Sequence, residues 1–134
     1  MSGRAPVALA VAIACCAGLG ACGGSSGDPV RAKVQQLISA VRTRDYATIC
    51  RKVLSPTLLA DLAQGGVGCE QALSVSLAGV RRPRLTIGKV TVSGNTASAL
   101  TVSSASGQSA VLTSIELVKT SAGWRVSALG SPIG

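Results

Sequence analysis

The chain has 134 residues, no His, no Phe, one Tyr, one Trp and a net charge of +8 from 13 Lys and Arg against five Asp and Glu. Without His, Ser–His and Cys–His nucleophile pairs and His-based metal sites are excluded. With almost no aromatic residues there is nothing for bases to stack on, so nucleic acid is not an expected partner. A core of Val, Leu, Ile and Ala buries less area per side chain than an aromatic one, and a domain this small gains from a covalent staple.

Arg4 and the starting amine precede residues 7 to 19, which carry no charge, and this is the layout of a signal peptide. The run is shorter than the ~20 residues of a spanning helix and ends at Gly23-Gly24-Ser25-Ser26-Gly27. Leu19-Gly20-Ala21-Cys22 resembles the lipobox of bacterial lipoproteins. That resemblance implies cleavage before Cys22, lipidation of its sulfur and a place on the outer face of the cytoplasmic membrane. Ordinary signal-peptidase cleavage near Ala21 is the alternative. The expected organisation is a signal peptide over 1–21, a lipidated Cys and flexible tether over 22–28, and one folded domain over 29–134. Cleavage removes only Arg4 among the charged residues, so the mature chain stays basic, which suits anionic lipid or wall polymer.

From Asp28, the apolar positions Val30, Val34, Leu37, Ile38 and Val41 form one helical stripe. Asp28 is placed to cap this helix and Pro29 to occupy its first position. Arg42-Thr43-Arg44 closes it, and Asp45 opens a shorter helix through Tyr46 to about Lys52. Ser55-Pro56 repeats the cap-plus-proline signal for a third helix carrying Leu58, Leu59 and Leu62. It stops before Gly65-Gly66-Val67-Gly68, which has no following Lys-Ser or Lys-Thr and so reads as a turn, not a phosphate loop. A fourth helix runs from about Glu70 to Ala78.

After Arg81-Arg82-Pro83-Arg84 the apolar period changes to two. Leu85, Ile87, Val90 and Val92 alternate with a slip at Gly88-Lys89 that a bulge would produce. Gly94-Asn95 marks a turn, and strands follow over 96–103, 109–119 and 124–129. The expected class is α+β, with short helices packed on a curved antiparallel sheet of about four strands. The first helix, Arg44-Asp45-Tyr46-Ala47-Thr48-Ile49-Cys50, Val90-Thr91-Val92-Ser93-Gly94-Asn95-Thr96-Ala97 and Gly123-Trp124-Arg125-Val126 together resemble small extracytoplasmic proteins of the nuclear transport factor two-like superfamily. That resemblance implies a cone enclosing a pocket, with an inward carboxylate or His in the catalytic members.

Cleavage before Cys22 would remove Cys15 and Cys16 and leave Cys22 lipidated; the remaining two thiols, with no nearby His or third Cys, do not complete a zinc site, so Cys50 and Cys69 are expected to form a disulfide in an oxidising envelope. No metal or cofactor is expected. Asp28 and Asp45 read as caps, and Asp61 and Glu70 as solvated helix residues. Glu116 lies opposite the face of Val111, Ile115 and Leu117, where it could pair with Arg125; in a dry pocket it could instead act as a base. Arg81, Arg82 and Arg84, with Arg42, Arg44, Arg51 and Lys52, are a candidate basic surface. The expected function is a lipid-anchored binding or interaction module without catalysis. The alternatives are an isomerase- or cyclase-like enzyme using Glu116, and a purely structural envelope lipoprotein.

Overall fold

A computed structural model describes residues 26–133. The signal peptide, the lipobox and Cys22 lie outside the described residues. Helix α1 (Asp28–Thr43) begins with Pro29 in its first turn and buries Val30, Val34 and Leu37 of the expected stripe, together with Ala40. Its N-cap is Gly27 rather than Asp28. The helix starts one residue earlier than expected, which puts the Asp28 carboxylate in the first turn, where negative charge favours the free amide hydrogens. The helix ends at Arg44, whose φ of 55° lets its N–H turn back to the carbonyls of Ala40 and Val41.

Asp45 caps α2 (Tyr46–Thr48) as expected, accepting from the Thr48 backbone N–H at 3.1 Å and from the Thr48 hydroxyl at 2.7 Å. The chain then widens into a π-helical segment, Ile49–Val53, in place of the expected continuation of one helix. The Leu54 N–H reaches back to the Ile49 carbonyl at 2.9 Å, the longer spacing of a π turn. Ile49, Cys50 and Val53 are all buried in it. Ser55 then caps α3 (Pro56–Gln64), accepting from the Leu58 N–H at 3.1 Å. Its own N–H donates to the Val126 carbonyl at 2.8 Å, so Leu54-Ser55 runs as a parallel bridge along the sheet edge.

Helix α4 (Cys69–Ser76) follows the glycine turn. The expected disulfide is present: Cys50 and Cys69 are joined with their Cα atoms 6.0 Å apart. It ties the π-helical segment to the first residue of α4 across α3 and the glycine turn.

Strands β1 (Arg84–Ser93), β2 (Thr96–Ala105), β3 (Gln108–Thr120) and β4 (Gly123–Pro132) form one antiparallel sheet in sequence order. The register of β1 on β2 shifts between Ile87 and Val90, at the Gly88-Lys89 slip. A second shift separates Thr113 and Ile115 against β4, where Gly130 lies so close to Ser114 that a Cβ would overlap the Ser114 carbonyl. Only glycine permits this approach. The inner face carries Ala97, Ala99, Thr101, Ile115, Leu117 and Val126, all buried against α1 and the π-helical segment. The α+β architecture of short helices on a four-stranded antiparallel sheet is the one expected from the change of period.

Candidate functional site

A cavity of about 370 Å³ lies between α1, α4 and the inner face of the sheet. Helical and strand periodicities converge on it. Leu37, Ile38 and Val41 reach it from α1, Leu73 from α4 and Leu77 from the cap that follows it, and every second residue from Val111 to Ile115 from β3. These side chains make the walls apolar. The rim is formed by the connector between α4 and β1, including Val80 and Pro83, and by the tip of the β2–β3 hairpin, including Ser104 and Gln108. Leu129, 65% exposed, marks where the cavity opens to solvent. A backbone bond from Ser106 N–H to the Arg81 carbonyl, at 2.8 Å, ties the hairpin tip to the connector.

Polar groups are few in the lining. Thr113 projects from the inner face, its hydroxyl 3.1 Å from that of Thr101, which is 1% exposed. Arg84 is the one charged residue in the lining, and no Asp or Glu borders the cavity among the described residues. Among those residues there is also no group of three His, Cys, Asp or Glu side chains that could hold a metal ion.

Glu116 is absent from the lining. It sits on the outer face of β3, between the buried Ile115 and Leu117, as the strand phase requires. There the Ser98 and Ser114 hydroxyls are 2.8 Å apart, and Ser114 donates to the Glu116 carboxylate at 2.5 Å. The expected pairing with Arg125 is corrected: that guanidinium donates to the Arg51 carbonyl at 3.0 Å, and the β4 residue opposite Glu116 is Ala128. Register, not charge, decides the neighbour.

The basic residues gather at two places rather than on one surface. Arg42, in the last turn of α1, donates to the Pro83 carbonyl at 3.2 Å, beside Arg84 at the cavity; Arg81 and Arg82 are exposed in the same connector. Lys33, Lys52, Arg51 and Arg125 form the other group. Lys33 donates to the Lys52 carbonyl at 3.0 Å and to Gln36 at 2.7 Å. Burial lowers the Lys33 pKa from the ordinary lysine value, and the positive charges of Arg125 and Lys52 lower it further. Nine residues of helix, roughly 13 Å, separate Lys33 from Arg42, which is why the two groups stay apart. The Asp45 carboxyl lies below its ordinary pKa, held there by its two bonds from Thr48.

The family resemblance implied a pocket, but the residues by themselves did not show which of them would line it. Its one available signal was the width of the α1 stripe: Ile38 and Val41 flank Leu37 and exceed what a single packed seam needs.

A meander sheet with one long helix and shorter ones on its inner face, enclosing an apolar cavity, is the NTF2-like fold. The solved structure of a "putative dehydratase from the NTF2-like family" of Streptomyces avermitilis superposes with a TM-score of 0.55 at 18% identity, covering 79% of this chain and 95% of that one. At that identity the likeness establishes the fold. No family model matches the sequence. No curated protein matches it either. The neighbour corrects one expectation, that the protein is not an enzyme: the same architecture belongs to a protein described as a putative dehydratase.

Proposed function

We propose that the protein is a membrane-tethered extracytoplasmic module whose cavity takes a small, mainly apolar ligand. The observation that carries this is the cavity, whose volume of about 370 Å³ falls within the ~300–1,000 Å³ of small-molecule sites and whose walls are Leu, Ile and Val with a few polar groups. The neutral fluorescent probe N-phenyl-1-naphthylamine should bind, with an increase in emission. Leu77→Trp, which places an indole in the space from the half-buried end of α4, should weaken that binding about tenfold or more without lowering the melting temperature. Equal binding by both proteins would place the ligand elsewhere.

The tether rests on Leu19-Gly20-Ala21-Cys22 following a charge-free run. Mass spectrometry of the membrane fraction should find Cys22 as a lipid-modified N-terminus, and Cys22→Ser should release the protein. An unmodified Cys22 in membrane-bound protein would remove the anchor.

The Streptomyces avermitilis neighbour supports a second reading, in which the same cavity eliminates water from a bound hydroxy compound. That reaction needs a proton acceptor and donor at the substrate. Thr113, Ser103, Ser104, Ser109, Gln108 and Arg84 can hydrogen-bond such a substrate, but with Glu116 on the other face no carboxylate of the described residues lines the cavity to accept the proton, so an acidic or basic group of the substrate itself would have to do so. Ultraviolet absorbance of the conjugated product from a β-hydroxy thioester, with Thr113→Val as the variant, distinguishes turnover from binding alone.

A further inference from the structure

We propose that the ligand is a single-chain anionic amphiphile, its tail lying along Leu37, Val41 and Ile115 and its carboxylate or phosphate head held at the rim by Arg84 and Arg42. This deepens the reading of the cavity as a ligand site and rests on it. The walls are apolar, and the charge at the opening has one sign. Arg84 lines the cavity, and no carboxylate of the described residues lines it beside that guanidinium. Arg42 stands next to it, since its Nε donates to the carbonyl of Pro83, the residue before Arg84. That bond uses one of its N–H donors. A guanidinium presents a planar fork that fits carboxylate and phosphate oxygens two at a time, so Arg84 bordering an apolar cavity, with Arg42 bonded to the residue before it, favours a ligand with an anionic end.

The rim is held in place as well as charged. The Ser106 N–H to Arg81 carbonyl bond locks the hairpin tip to the connector, and Arg84 itself is the first residue of β1, paired with Ser104 across β2. Arg84 precedes the inward-facing Leu85 and is exposed, so it borders the cavity at the end of the strand rather than from the inner face of the sheet. Size argues for one chain: about 370 Å³ lies near the lower end of small-molecule sites, which leaves little room for a second acyl chain.

The test is isothermal titration of the full chain with octanoate and with 1-octanol, which share a tail and differ in the charge of the head. Phosphatidylglycerol vesicles form a third arm that offers the anionic head on a two-chain lipid. Octanoate should bind about tenfold more tightly than octanol, the size of one charge-assisted hydrogen bond. Arg84→Gln should remove most of that preference while leaving octanol binding and the melting temperature unchanged, and Arg42→Gln should remove part of it. Equal binding of octanoate and octanol overturns the anionic head and leaves the apolar site standing. A preference for octanoate that survives both substitutions overturns the assignment to Arg84 and Arg42. Vesicle binding that depends on Arg84, without octanoate binding, overturns the single-chain ligand. Binding of neither octanoate nor octanol, with no vesicle binding, defeats the cavity reading itself.

Discussion

Leu117→Ala lowers the free energy of unfolding by about 2–5 kcal/mol, the range for truncating a fully buried Leu. Leu117 is 1% exposed and packs in the cluster with Val30, Val34, Ile49 and Val126, where α1 and the π-helical segment meet the sheet. The core has no Phe to spread into a vacated space. Its neighbours are short or β-branched side chains with few alternative rotamers, so the cavity left behind collapses little. Glu116→Gln, one residue away, is the matched control. Its side chain lies on the outer face and keeps an oxygen for the Ser114 hydroxyl, so stability stays within about 0.5 kcal/mol of the parent. Urea unfolding of both variants is the measurement. Comparable losses would mean that Glu116 and Leu117 do not lie on opposite faces.

Replacing Cys50 and Cys69 together by Ser costs about 3 kcal/mol, from the loop-closure entropy that the bond withholds from the unfolded chain. The two cysteines are 19 residues apart. For a domain near 100 residues, that loss corresponds to a fall of roughly 12–24 °C in melting temperature. The effect should reach the cavity. Leu73 on α4 and Leu77 at its C-terminal cap form one wall, and α4 is only eight residues long, too short to hold its shape without tertiary contacts. The disulfide anchors its first turn to the buried π-helical segment, so the double variant should also bind the naphthylamine probe more weakly at temperatures where it is still folded. Calorimetry and probe titration together check both parts. An unchanged melting temperature would show that the pair is not bonded in the folded protein.

Local chemistry made several features legible in advance. The Ser55 and Asp45 caps depend on a side-chain oxygen meeting backbone N–H groups within the same turn, so short-range sequence suffices. The break in alternation at Gly88-Lys89 became the register shift between Ile87 and Val90, because period two leaves no other way to keep Leu85 and Val92 on the inner face. Phase along β3 likewise put Glu116 opposite Ile115 and Leu117. Asp28 was misread as a cap because helix starts are uncertain by a residue when a glycine precedes an acid and a proline. The π-helical segment had no local signal, since its wide turn exists to seat Ile49 and Val53 against a sheet that comes later in the chain.

The order of caps, stripes and alternating runs was sufficient to determine an α+β chain of short helices followed by a four-stranded meander. Each of those features is settled by residues within a turn or a strand of one another. Tertiary structure alone decided where the empty space lies and what charge borders it. The cavity arises because α1 and α4 approach the same stretch of β3 without filling it, and Arg42 joins Arg84 because the end of α1 meets the start of β1. Arg42 and Pro83, 41 positions apart in sequence, make that contact beside Arg84, and no local pattern encodes it.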